Sequence, residues 1–148
     1  SRRRRHTGLR REWSSDVCPS DLSLTRDGVF DALYDRHTYA TTGAKIIVYF
    51  SMNGVAMGQR GVAQENNTVS IRIHGTDTLE RVELLRLYAD AEAFEVIKRW
   101  TPIGMDFETS WTDVANERDV IYYVRTRQEN EIHGRIVMAW SSPVWLTR

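Results

Sequence analysis

Residues 120–127, VIYYVRTR, and residues 136–146, IVMAWSSPVWL, decide the fold. Both runs are rich in β-branched and aromatic residues, which suit a pleated, half-buried surface. A short segment containing Gly134 joins them, as in an antiparallel pair. A period of two places Ile136, Met138 and Trp140 on one face of the second run. Tyr122 and Val124 share a face of the first, and these two faces are predicted to meet in the core.

The same alternation recurs outward from this pair. In residues 68–75, TVSIRIHG, Val69, Ile71 and Ile73 point inward, with Ser70, Arg72 and His74 outward. Residues 107–111, FETSW, alternate Phe107, Thr109 and Trp111. In residues 94–100, FEVIKRW, Phe94, Val96 and Trp100 oppose Glu95 and Arg99. Residues 81–87, RVELLRL, form a further run, while 87–94, LYADAEAF, suit a short helix as well as a strand end. In residues 45–53, KIIVYFSMN, Ile46, Val48, Phe50 and Met52 lie on one face and Ile47 and Tyr49 on the other. Apolar residues on both faces predict a strand covered on both sides. Asn53-Gly54 then marks a hairpin turn, and the polar stretch 59–67 reads as a loop. Strands recurring at intervals of roughly 10–14 residues indicate an antiparallel β-sandwich.

Ahead of the strands, residues 24–37 predict one helix. Thr25 suits the N-cap and Asp27 the positive end of the helix dipole. Val29, Phe30 and Leu33 form an apolar stripe. Gly28 weakens the helix, so packing must hold it.

The first 22 residues, SRRRRHTGLRREWSSDVCPSDL, stand apart. They resemble translated sequencing-adapter read-through and are expected to be a non-native, disordered extension, with the natural chain running from Ser23 as a fragment. A targeting peptide fits poorly, because the stretch has no apolar core and Glu12, Asp16 and Asp21 interrupt its basic run. It holds six of the 20 basic and three of the 20 acidic residues, leaving 14 against 17 and a net charge of −3. Without that arm there is no electrostatic case for nucleic acid or an anionic membrane. Cys18 also falls within it, which removes any disulfide or cysteine–metal site from the remainder.

Few residues carry chemistry. His74 sits on an outward strand face and His133 in a polar loop, both readings of solvated histidines. Asp35 and His37 form a DxH pair, but residues two apart on a helix diverge by about 200° and cannot share one ion. No HxH, HExxH, CxxC, GxSxG or glycine-rich phosphate loop occurs. Carboxylates are scattered along strands without a pairing that assigns acid and base roles. Trp100, Trp111, Trp140 and Trp145, with Tyr122 and Tyr123, read either as core or as a sugar-stacking platform.

The run 24–58, LTRDGVFDALYDRHTYATTGAKIIVYFSMNGVAMG, resembles the end of the metal-binding domain of PHP-type (polymerase and histidinol phosphatase-like) metal-dependent hydrolases. That group includes carbaryl-hydrolase-like proteins and a large subfamily of unknown function. The resemblance rests on Leu24-Thr25-Arg26, Asp31-Ala32-Leu33, Arg36, Tyr39-Ala40-Thr41-Thr42-Gly43, Asn53-Gly54 and Met57-Gly58. It continues through ERVELLR (80–86), YYVRTRQ (122–128) and MAWSSPVW (138–145). Lys45 departs from the arginine more usual after TTG.

This resemblance implies a mainly β chain with a short helix, comprising the last helix and strand of a distorted (β/α) barrel followed by an antiparallel β-sandwich. Residues 23–58 would close the hydrolase domain and residues 59–148 would form the sandwich. The family's His, Asp and Glu ligands lie upstream of the LTR helix, so the fragment is expected to hold no catalytic residue, metal or cofactor and to be inactive alone. A divalent metal (Zn, Mn or Fe) is expected in the parent, and the missing upstream barrel domain is the expected partner. Arg36, Tyr39 and Thr42 are the substrate-side residues the resemblance suggests. The alternatives are an immunoglobulin-like module that binds carbohydrate or protein, and a purely structural tail.

Overall fold

The computed structural model describes residues 25–101, 104–114 and 118–148. The expectations for residues 1–22 and for Cys18 lie outside them. The elements run α1 (Arg26–Tyr34), β1 (Tyr39–Thr41), β2 (Ile47–Met52), β3 (Val55–Ala56), β4 (Arg60–Val62), β5 (Asn66–His74), β6 (Leu79–Tyr88), β7 (Glu95–Trp100), β8 (Asp106–Val114), β9 (Val120–Gln128), β10 (Met138–Ser141) and β11 (Val144–Thr147). The chain is therefore mainly β, with one short helix among the described residues and sheets that are antiparallel except where β11 meets β4.

The smaller sheet has the order β3-β2-β5-β8. Asn53 (φ 52°) and Gly54 (φ 77°) are both left-handed, the primed turn that the Asn-Gly pair predicts between β2 and β3. The larger sheet is built around β9. Strand β6 runs along one edge of β9. On the other edge β10 pairs with the later half of β9 and β11 with its earlier half. Strand β7 extends the sheet beyond β6, β1 beyond β10, and β4 beyond β11.

Both sheets feed one apolar core in a sandwich-like arrangement. Val48, Phe50, Met52, Val69, Ile71 and Ile73 come from the smaller sheet. Val82, Leu84, Val120, Tyr122, Val124, Val144 and Leu146 come from the larger. The inward positions read from β5 and β8 hold: Val69, Ile71 and Ile73 are fully buried, and Phe107 and Trp111 pack against the core.

Several expectations are corrected. Strand β2 is fully buried on one face only; on the other Ile47 is exposed and Tyr49 half-buried, because its neighbours are antiparallel, a pairing that leaves one face of a sheet open. In β10 the faces are reversed: Ala139 and Ser141 point inward, while Met138 and Trp140 are half-buried on the outside. The buried Ser141 hydroxyl accepts the Val124 N–H at 2.9 Å, fixing that register. In β7 a shift opposite Leu84/Leu85 sets Val96 across from Leu85 but Trp100 across from Val82, so the two do not share a face. Residues 59–67 are not all loop, since β4 and the start of β5 lie within them. The segment 89–94 is turn and irregular chain, not helix.

The boundary drawn at 58/59 runs through both sheets. Strands β1 to β3 precede it, yet β1 pairs with β10 and β2 with β5.

Candidate functional site

The charged residues of the interior form two clusters. The first joins the sheets. Asp113, 6% exposed, comes from the smaller sheet on β8. Across from it Arg86 of β6 donates from Nη1 to Oδ1 and Oδ2 of Asp113 at 2.9 and 2.8 Å. The Tyr122 hydroxyl on β9 donates to Oδ2 at 2.7 Å. Arg86 turns its remaining donors to Glu95 Oε1, at 2.9 Å from Nε and 2.6 Å from Nη2. Its guanidinium also lies 4.6 Å from the centroid of Tyr88, and that of Arg118 lies 4.0 Å from the same ring.

Burial and the Asp113 carboxylate push the Tyr122 phenol above its ordinary value. For Arg86, burial alone would favour the neutral form, but Glu95 and Asp113 outweigh it and hold the cation.

The second cluster lies on the outward face of the larger sheet. Glu83 on β6 is 1% exposed. Arg99 of β7 and Arg125 of β9, its cross-strand neighbours, donate to its two oxygens at 2.8 and 2.6 Å. Burial alone would raise its pKa; the two guanidinium groups prevail and hold it below the usual carboxylate value. Both clusters are charge-assisted and saturated. No oxygen of Glu83 or Asp113 lacks a cationic or phenolic donor.

The residues suggested as substrate-side do not converge. Arg36, left-handed at φ 57°, donates from Nε to the Gly58 carbonyl at 3.0 Å. Its guanidinium stands 5.4 Å from the Trp145 ring, with Arg60 at 6.0 Å. A Cβ on Gly58 (φ 88°) would collide with the Arg36 carbonyl, so glycine is required there. Thr42 donates to the Ile136 carbonyl and accepts from Met138 N–H, both at 3.0 Å, which ties the chain beside β1 to the segment leading into β10. Gly43, φ 108°, makes the left-handed turn its place in the sequence suggests. Tyr39 is on β1 and 41% exposed.

The DxH residues also part company. Asp35 caps the C-terminus of α1, and His37 Nε2 lies 2.9 Å from Gln59 Nε2. Among the described residues no group of three or more His, Cys, Asp or Glu side chains converges. His74 on its outward face pairs with Asp106 at 2.8 Å.

The aromatic residues divide between the two readings given to them. Trp100 packs edge-on against Trp111 at 6.4 Å and against Phe107 at 5.7 Å, and all three rest on the core. Lys98 Nζ lies 6.0 and 5.8 Å from the two indole centroids. Trp140 and Trp145 are on the outward side.

The chain is similar to proteins of Chlamydia, each described as an uncharacterized protein. The Chlamydia trachomatis protein is 30% identical over 141 residues, covering 82% of this chain and 21% of its own length. The Chlamydia muridarum protein is 30% identical over 140 residues and the Chlamydia pneumoniae protein 28% over 140, with the same coverage. The chain thus spans about a fifth of the length of the curated relatives it matches. No family model matches the sequence, and no solved structure matches.

Proposed function

We propose that this chain is a non-catalytic β-rich part of a longer metal-dependent hydrolase, in which α1 and the segment to Gly58 adjoin the barrel domain and the rest accompanies it. The observation that carries this reading is the commitment of both buried carboxylates to arginine or tyrosine donors of the fold. Such groups weld strands together. The motif order from Leu24 to Leu146 and the greater length of the relatives support the same reading.

Among the described residues no three or more His, Cys, Asp or Glu side chains converge, so the donor set there does not fit a divalent metal. On this reading the metal is held by other residues of the parent. Arg36 and Thr42 act as ties between segments.

The test is the metal content of the dialysed 148-residue protein, measured beside hydrolysis of phosphate and carboxylic esters. Substoichiometric metal and no turnover are expected, since a hydrolytic metal needs about three protein ligands. Stoichiometric zinc or manganese would contradict the reading and point back to Asp35 and His37.

A second reading, a carbohydrate-binding module, draws on the outward placement of Trp140 and Trp145. A shift of tryptophan emission on titration with oligosaccharides would favour it.

A further inference from the structure

Helix α1 presents four large apolar side chains in six residues, and among the described residues none of them is buried. Val29 is 50% exposed, Phe30 65%, Leu33 61% and Tyr34 75%, and no residue of the helix is buried. Their spacing places them along one side, where Phe30 and Tyr34 stack at 6.3 Å. The helix has nine residues, below the roughly 12–15 at which an isolated helix becomes even marginal in water. Gly28 weakens it further. Local capping by Thr25, whose hydroxyl accepts the Gly28 N–H at 3.1 Å, cannot make up that deficit. Beyond its C-terminus the chain is anchored firmly, through Arg36 to Gly58 and through the Ser142 N–H to the Thr38 carbonyl. One end is therefore fixed to the larger sheet, while the apolar side has no covering element among the described residues.

We infer that this side of α1 is an intramolecular docking surface for the remainder of a longer polypeptide. The inference rests on the accessory reading above. Two observations choose this occupant. About four-fifths of each relative's length lies outside the matched stretch, so chain is available to cover the helix. The stripe is also too small for the main rival, a second copy. Four such side chains offer roughly 400 Å², about half of the ~800 Å² per partner of a stable interface. A tethered domain faces no such threshold, because linkage supplies an effective concentration in the millimolar range.

The experiment compares hydrogen exchange in the 148-residue chain and in the longer polypeptide that carries it, obtained by extending the gene in its source DNA. In the short chain, α1 amides should exchange within about tenfold of the unfolded rate, while β5, β6 and β9 stay protected. In the longer polypeptide, α1 should slow by at least about a hundredfold. Phe30→Glu with Leu33→Glu should abolish that slowing and leave the strands unchanged, since neither side chain is buried in the sandwich. Equal α1 exchange in the two proteins would overturn the inference, as would a gene that extends no further. Protection already present in the short chain would overturn it too: if lost on dilution it means a second copy, and if independent of concentration a contact within this chain. The accessory reading fails separately, through metal bound stoichiometrically by the short chain.

Discussion

Strands β5 and β9 are both nine residues long and both lie at the centre of a sheet, yet their outward faces differ. Both alternate strictly, with inward residues in the shared core. On β5 the outward residues Thr68, Ser70, Arg72 and His74 are exposed. On β9 the outward residues Ile121, Tyr123, Arg125 and Arg127 are all half-buried. The difference comes from what stands beside them. Beside them β8 offers Ser110, Thr112 and the Arg72–Glu108 ion pair, and β2 offers Ser51, Tyr49 and the exposed Ile47. Those of β9 offer Phe94, whose ring meets Tyr123 at 4.9 Å, and the Glu83 cluster, whose long arginine stems lie over the sheet. The smaller sheet leaves its outer face to water. The larger one roofs its outer face with its own side chains.

Breaking the clamp between the sheets should cost most. Asp113→Ala leaves the Tyr122 hydroxyl without this acceptor and the Arg86 cation with Glu95 alone, and should cost about 2–4 kcal/mol, read by urea denaturation. A loss below about 1 kcal/mol would mean that water already shares these groups.

Trp140→Ala tests the roof. An inward tryptophan would cost about 3–5 kcal/mol on truncation. Trp140 is outward and half-buried, so roughly 1–2 kcal/mol is expected. A loss at the upper figure would return it to the core.

Acid and base should probe the two clusters separately. The Glu83 carboxyl is held below 4.5 in the folded chain, so its stabilisation is complete above that pH and declines as pH falls through the lowered folded value. Glu83→Gln should flatten the stability profile below pH 4.5. Tyr122 has a raised folded value, so its contribution is complete below pH 10 and is lost as pH rises further. In Tyr122→Phe the alkaline loss should shrink.

The smallest effects belong to the outer face of the smaller sheet. Ser70→Ala and Arg72→Ala should each change stability by less than about 0.5 kcal/mol, because both are exposed. A larger loss from Ser70→Ala would show that this face is covered after all.

Alternation made much of this legible. Strand β2 carries Val48, Phe50 and Met52, and β5 carries Val69, Ile71 and Ile73, at alternate positions, and the inward face follows directly. The same rule fails in β10, where the small residues Ala139 and Ser141 face in and the large ones build the outer roof. It fails in β7 because a register shift moves Val96 and Trp100 to different faces. The pairing of β1 with β10 joins residues about a hundred positions apart, which no local pattern encodes. The inter-sheet clamp did leave a signal. Asp113 occupies the inward parity of Phe107, Thr109 and Trp111, and a charge at an inward position needs a partner. Arg86 and Tyr122 meet that need only once β6 and β9 are paired. Arg36 and Thr42 stand out in the sequence, yet their bonds to Gly58 and Ile136 become visible only when the chain is folded.

The central claim is that the Asp113 cluster joins the two sheets. A double-mutant cycle with Asp113→Ala and Tyr122→Phe, followed by urea denaturation, tests it most directly. A coupling energy of about 1 kcal/mol or more is expected, because each residue's contribution passes through the other. Strict additivity, with Asp113→Ala leaving the midpoint unchanged, would contradict it and leave the Asp113 carboxylate free for another role.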